Sequence, residues 1–426
     1  MSNKIERIDS ETLLVGIDIA KHTHWAQMTD SRGITLSKPL RVENTAEGMN
    51  RLKREALSLM QKSGLTKIMI GFEPSGHYWR ALAWFFHTAD GFQLVGVNPY
   101  HVKQLKELDD NSQTKTDQKD ALVIARLLRD GRYFDLYMPD EEYANLRVLR
   151  RHRDQILERR KWIQNQLISI MDEYFPEYEE AGFSVTCTTS RYALYYTPFP
   201  SEIDALGEDG LLQLWRHHYP NYHHLRGKFA HRLFLAAQDS IGVTYGIEAT
   251  RQRIRDLLSL HMQIDQQIAE CEAGMEAIMD TIGIQDYLLS IPGVGKNVSA
   301  IFVAETGDLS RFESWKQIQK LAGLNLVEQS SGQHKGHAHI SKRGRAGLRC
   351  VIYQIGDKGM LVNPEMRQYY NYLRHRQVNQ LKHQQAILAV GIKMMRIMFF
   401  LAKNHKYYDP DQALGEVRRQ QIQSIA

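Results

Sequence analysis

Gly16-Ile17-Asp18-Ile19-Ala20-Lys21 is the stretch on which the fold turns. The apolar run Leu13–Ile19 reads as a strand carrying one acid, Asp18, near its end, and the polar Lys21–Thr23 breaks it. Trp25–Met28 and Gly33–Leu40 read as two more short strands, which together with the first predict an antiparallel meander. Asn44 reads as the cap of a helix with apolar positions at Met49, Leu52, Ala56 and Leu59. Lys67–Phe72 has a buried-strand pattern ending in Glu73, and Phe92–Val97 is another strand, closed by Asn98-Pro99. A helix is predicted from near Asp117 through Ala121, Ile124, Ala125 and Leu128 to Gly131. Three early strands followed by alternating helix and strand make a mixed α/β sheet.

The whole chain has 426 residues, room for two or three domains, and its 43% hydrophobic content supports a sizeable core. A net charge of +5 is mildly basic, so the distribution of charge decides whether a polyanion binds. Cys187, Cys271 and Cys350 are far apart and lack zinc spacing, which argues against a disulfide framework and for a reducing, cytoplasmic setting. Met1–Glu11 is polar, without a signal-peptide core. The longest apolar stretches, Ile387–Val390 and Ile397–Ala402, are separated by Lys393 and Arg396, and no membrane span is expected.

Beyond residue 138 the pattern becomes helical. Leu146, Leu149, Ile156, Ile163, Leu167 and Ile170 follow three- and four-residue steps, with Arg153 and Arg160 at two seam positions. Leu257, His261, Ile264, Ile268, Cys271, Met275, Ile278 and Ile282 keep heptad spacing. Two such helices predict an antiparallel coiled coil, within one chain or between chains. The insertion at about 180–250 is rich in aromatics, among them Phe183, Tyr192, Tyr195, Tyr196, Phe199 and Trp215, which read first as the core of a small subdomain. Its histidines, His217, His218, His223 and His224, lack the carboxylate or cysteine that would complete a metal sphere. The expected domains are therefore 1–138, 139–284 with its insertion, and 285–408, followed by a polar tail, 409–426.

Four acids stand out by position: Asp18 and Glu73 at strand ends, and Asp117 and Asp120 three apart on one face at a helix start. Cleaving a phosphodiester requires neutralising charge on the attacking and leaving oxygens. A pair of divalent ions held by hard carboxylate oxygens does this. Each acid alone also reads as a surface or capping residue; the set of four in this order points to chemistry.

These motifs, GIDIAK at 16–21, FEPSGHYW at 72–79 and KTDQKDA at 115–121, resemble those of the DEDD transposases, the Piv/MooV-type group also called the insertion-sequence 110 family. The resemblance covers residues 13–178 and 255–405 and leaves the insertion unmatched. It implies a RuvC-like, RNase H-type N-terminal domain in which Asp18, Glu73, Asp117 and Asp120 bind Mg2+, with Mn2+ as a substitute. The fold class is then α/β plus α: a RuvC/RNase H-like domain, long coiled-coil helices and a mostly helical C-terminal transposase domain.

The C-terminal region opens with Ser290-Ile291-Pro292-Gly293-Val294-Gly295-Lys296, a helix-hairpin-helix signature. Its glycines let backbone N–H groups reach a phosphate, with Lys296 beside them. A packing turn is the plain alternative. From Gln329 to Val351 there is no acid but five cations, Lys335, Lys342, Arg343, Arg345 and Arg349, a footprint for a polyphosphate. A serine in that field can act as a nucleophile. The residues alone leave Ser330, Ser331 and Ser341 nearly equal. The resemblance assigns the nucleophile to the serine that precedes a glycine, Ser331, with Ser330 as the alternate. Leu326 departs from the family, where proline is common.

The resemblance further implies a phosphoserine intermediate on double-stranded DNA, a structured guide RNA encoded by the element, and a homo-oligomer, dimer or tetramer, in a prokaryotic cytosol. Arg147, Arg150, Arg151, Arg153, Arg159, Arg160 and Lys161 form a basic stripe on the first long helix that suits a nucleic-acid backbone, although Asp154 and Glu158 lie among them. Two other readings stay open: a hydrolytic RNase H-type nuclease or junction resolvase, and a non-catalytic nucleic-acid-binding protein.

Overall fold

A short helix, α1 (Ser2–Ile5), precedes β1 (Thr12–Asp18), which lies at the centre of a six-stranded sheet. The computed structural model describes residues 2–109, 117–185, 187–218, 227–328 and 338–423. The chain divides into two units, Met1–Met138 and Pro139–Ala426.

In the first unit β2 (Thr23–Thr29) and β3 (Leu40–Glu43) follow β1 antiparallel, while β4 (Lys67–Phe72) and β5 (Phe92–Val97) extend the other side parallel. The antiparallel β6 (Tyr133–Asp135) closes the order β3-β2-β1-β4-β5-β6. Leu13, Val15 and Ile17 enter one core, Leu14 the other. Burial on both faces explains why β1 reads as a continuous apolar run. The helices of this unit are α2 (Ala46–Lys62), α3 (Trp79–His87), α4 (Pro99–Asp109) and α5 (Asp117–Arg129).

Two expectations are corrected. The third strand is Leu40–Glu43, not Gly33–Leu40, and only an isolated bridge joins Thr29 to Thr35. Asp30 bends the chain by accepting the N–H groups of Arg32 (3.0 Å) and Ile34 (2.8 Å), and Pro39 lacks a ladder donor. The cap of α2 is Thr45, whose hydroxyl accepts from Gly48 N–H at 3.1 Å; Asn44 instead donates to Lys21 O at 3.1 Å.

The tightest contact in this unit is between α5 and β1. A Cβ built on Gly16 would lie 2.1 Å from Ala121 O and 2.4 Å from Ala125 N, and one on Gly71 would lie 2.5 Å from Leu128 Cδ2. The helix therefore rests on the strand backbones themselves.

The second unit is built on α6 (Glu141–Tyr174) and α10 (Ile247–Ile282). Arg153 pairs with Glu272 (2.7 Å), Arg160 with Asp265 (3.5 Å) and Gln164 with His261 (3.2 Å). One number falls as the other rises, so the helices are antiparallel. The heptad seam is thus filled within one chain. Between them lie α7 (Thr188–Tyr196), α8 (Pro200–His218), kinked at Gly207, and α9 (Gly227–Gln238). Phe183, Phe199 and Trp215 are buried in this helical subdomain, as the plain reading of the aromatics expects, whereas Tyr192, Tyr195 and Tyr196 are half-buried.

The C-terminal part comprises α11 (Gln285–Leu289), α12 (Lys296–Thr306), α13 (Trp315–Leu321), the paired β7 (Leu326–Val327) and β8 (His339–Ile340), α14 (Ala346–Val362), α15 (Pro364–His375) and α16 (His383–Asn404). By length and composition α16 can cross a membrane. Here it is a core helix, with Val390, Met394, Met395 and Met398 buried.

His261 sits buried on the α10 seam, where Arg191 reaches its Nδ1 and also Asp265, at 2.8 Å. Burial, then the Arg191 charge, lowers its pKa below the usual 6.5. The neutral ring is favoured in the folded state, so its contribution is complete above the unfolded value and is lost as pH falls from there through the lowered folded value. In thermal melts between pH 5 and 8, His261→Leu should therefore lose less stability than wild type on acidification below about 6.5. Equal pH slopes would refute this assignment. Gly16→Ala should lower stability by about 1–3 kcal/mol in urea titration, because a methyl group must displace helix backbone. An unshifted midpoint would mean that α5 does not rest on β1.

Candidate functional site

The last ladder pair between the parallel strands β1 and β4 is Ile17 with Phe72. Asp18 and Glu73 are the next residue on each, so the two acids leave neighbouring strands at the same level, roughly 4.8 Å apart in backbone. Both are half-buried. Asp18 is held from the other side by the hairpin, where it lies opposite Trp25. His24, fully buried, accepts the Ala20 N–H at 3.3 Å and fixes the turn that follows Asp18. Sequence reading passed over His24, because a lone histidine in a strand gives no signal of a turn contact. After Glu73, Phe72 stacks on Trp79 at 5.9 Å and ties the loop to the start of α3.

The contact of Ala121 with Gly16 brings the N-terminal end of α5 to the end of β1 that carries Asp18. Asp120 immediately precedes Ala121 and is buried, with Lys106 of α4 as its ion-pair partner. Lys106 was not anticipated; nothing in the spacing of α4 marks it. Asp117 begins α5, and its side chain lies outside the described residues. Among the described residues no group of three or more His, Cys, Asp or Glu side chains is assembled to hold a metal. The fold thus brings the ends of β1, β4 and α5 together while Asp120 faces an ammonium.

In the second unit Ser331, its alternate Ser330, and Lys335 lie outside the described residues. Lys342 N–H donates to Gly323 O (3.0 Å), Arg345 N–H to Leu321 O (2.8 Å) and Ser341 N–H to Asn325 O (2.8 Å). A Cβ on Gly344 would lie 2.4 Å from Leu321 O, so the Ala322-Gly323-Leu324 and Ser341–Gly344 motifs lock backbone to backbone. Lys342 takes a left-handed φ of 53° at this junction. Arg349 donates to Ala322 O at 2.9 Å across it.

The cations divide by geometry. Arg147 donates to Ala304 O at 3.2 Å, Arg150 pairs with Glu305 at 2.9 Å, and Arg345 donates to Glu305 O. All three converge on the C-terminal turn of α12, whose carbonyls and dipole favour positive charge. Arg153 and Arg160 face α10. Arg151, Arg159, Lys161 and Arg343 are exposed. A short turn, 290–295, joins α11 to α12. Gly293 has φ 93° and presses on Gly359, a packing role, whereas Gly295 caps α12 with open space beside it. Lys296 pairs with Glu276 of α10, and that carboxylate raises its pKa.

A family model described as Transposase, for the DEDD transposases of IS110 type, matches residues 15–176, and one described as Transposase IS116/IS110/IS902 family matches residues 285–371. The chain is 26% identical to the insertion element IS116 uncharacterized 44.8 kDa protein of Streptomyces clavuligerus, over 96% of this chain and 98% of the relative. It is 24% identical to the insertion element IS110 uncharacterized 43.6 kDa protein of Streptomyces coelicolor, over 71% and 74%. A third relative, the transposase for insertion sequence element IS1111A of Coxiella burnetii, is 21% identical over 60% and 56%. The matched segments contain the strand-end acids, the start of α5, the α11–α12 hairpin and both motifs flanking the serines. The chain belongs to the IS110 family of transposases, enzymes that cut and rejoin DNA to move an insertion element.

Proposed function

We propose that this transposase breaks and rejoins DNA strands through a RuvC-like carboxylate site and a covalent phosphoserine. The observation that carries the first half is the common level of Asp18 and Glu73 on adjacent parallel strands, with the start of α5 beside them. The strand order, three antiparallel strands followed by two parallel ones, supports the RuvC-like reading. Hard carboxylate oxygens suit Mg2+ or Mn2+, and Asp18, Glu73, Asp117 and Asp120 would hold it. When bound, the metal neutralises charge on the scissile phosphate. Lys106 already pairs with the Asp120 carboxylate and gives that buried acid a positive partner.

Ser331, or Ser330 as its alternate, supplies the nucleophile. Its oxygen forms a bond to phosphorus, the bond from phosphorus to the 3′ oxygen breaks, and the serine proton is transferred to that oxygen, leaving a free 3′-hydroxyl. Attack by a partner strand's 3′-hydroxyl reverses these changes, restores the serine and joins new ends, so the bond energy is conserved without ATP. Lys342, Arg343 and Arg349 flank the serine segment and favour the charge developing on phosphate. Exposed Arg151, Arg159 and Lys161 on α6 suit a nucleic-acid backbone, including an element-encoded guide RNA. A dimer or tetramer, in the cytosol, would bring two cut strands together.

The test is trapping on a denaturing gel, using full-length protein, labelled element-end DNA, flanking-region RNA and Mg2+. A protein–DNA adduct should form with wild type and vanish in Ser331→Ala and Asp18→Ala, but persist in Ser330→Ala. Cleavage without an adduct, indifferent to both serine changes, would establish hydrolysis by water instead.

A further inference from the structure

Beyond the segment that the family models match, α16 and the chain that follows it enclose a cleft of about 610 Å³. Lys393, Arg396 and Phe400 come from one face of α16, spaced by three and four residues, and Lys406, Tyr407 and Asp409 from the returning strap. The strap is fixed in place. Tyr408 N–H donates to Ser290 Oγ at 2.9 Å, and its phenol bonds Asn363 and Glu365. Tyr287 of α11 packs on His405 and Tyr407, at 5.3 and 5.1 Å between ring centres. The cleft therefore adjoins the helix-hairpin-helix turn.

Its charge is one-sided. Among the described residues the one acid that lines it, Asp409, is engaged in capping, with Asp411 N–H at 2.9 Å and Gln412 Nε2 at 2.7 Å. Arg396 lies over Trp315 and Lys406 over Phe400, each as a cation against a ring rather than against a carboxylate. Burial, then the charges of Arg396 and Arg418, pull the Lys393 ammonium down to about 8. A cation so placed gains from any anion that enters. Phe400 and Tyr407 are exposed, at 47% and 64%, so both rings are accessible beside these cations.

We propose that this cleft binds an unpaired nucleotide: its phosphodiester between Lys393, Arg396 and Lys406, and its base against the rings of Phe400 and Tyr407. Unpaired strands offer base faces to aromatic side chains, which a stacked duplex does not. Proximity to the α11–α12 hairpin lets one strand engage both elements. The site is independent of the serine and the carboxylates, so binding can be measured where no cleavage occurs.

The experiment is fluorescence anisotropy of full-length protein with a labelled twelve-residue oligothymidylate and, separately, a labelled duplex of the same length. Arg396→Gln with Lys406→Gln alters only exposed side chains and should weaken single-strand binding about tenfold. It should also lower the log–log salt slope by about 0.7, since the one phosphodiester contact is lost. Phe400→Ala should weaken the single strand at least about fivefold, the lower end of what one stacked base contributes, and the duplex by less. Lys393→Met should move stability and binding in opposite directions: a higher Tm at pH 7, because a disfavoured buried ammonium is gone, with weaker oligonucleotide binding. Unchanged affinity and slope in the double variant would overturn the proposal, as would equal losses on duplex and single strand or a Lys393→Met that binds as wild type.

Discussion

The first unit depends on two backbones touching. Because Gly16 has no side chain, the Ala121–Ala125 turn of α5 settles directly on β1, and Gly71 extends the same seat to β4. A helix can approach a sheet this closely only where no Cβ intervenes. The position of Asp120 relative to the end of β1 follows from that seat. So does the relation of α5 to Glu73, since β4 runs parallel to β1 in fixed register. A glycine two residues before the first acid therefore governs the site as firmly as the acids do.

The sheet was largely legible because its strands have a simple physical signature. β1, β4 and β5 are apolar runs that end abruptly, as strands buried on two faces must. The Gly33–Leu40 segment misled because its apolar residues alternate, while Asp30 and Pro39, which decide its conformation, act through local hydrogen bonding rather than hydrophobicity. The long helices were legible from their heptads. Of the site, the acids and their strand-end positions were readable, but the Lys106–Asp120 pair was not, since it joins α4 to α5 across a stretch without periodic signal. His24 was likewise invisible, its role being a single contact to a turn.

Basic residues show how far composition alone can mislead. On α6 the sequence presents one stripe of arginine and lysine. In the fold Arg147 and Arg150, together with Arg345 of the distant basic block, bind the carbonyl end of α12, and Arg153 and Arg160 bridge to α10. Cations of this kind rigidify a helix junction and are satisfied before any polyanion arrives. What remains for nucleic acid is a smaller, outward set. A count of charges sets an upper bound on such a surface, and only geometry divides it between architecture and recognition.

The antiparallel pair of α6 and α10 has a mechanical consequence. At its base Leu146, Met275 and Met279 belong to the C-terminal core, and at its tip Ile170, Tyr174 and Ile254 belong to the core of the inserted helices. A helix of 34 residues is about 50 Å long at 1.5 Å per residue. The insertion leaves and re-enters at that distant tip, so it can be lengthened, shortened or exchanged without altering the register below. The pair has the geometry of a lever arm: a tilt of about 5° at its base would carry the tip through roughly 4 Å, about three-quarters of a helical turn.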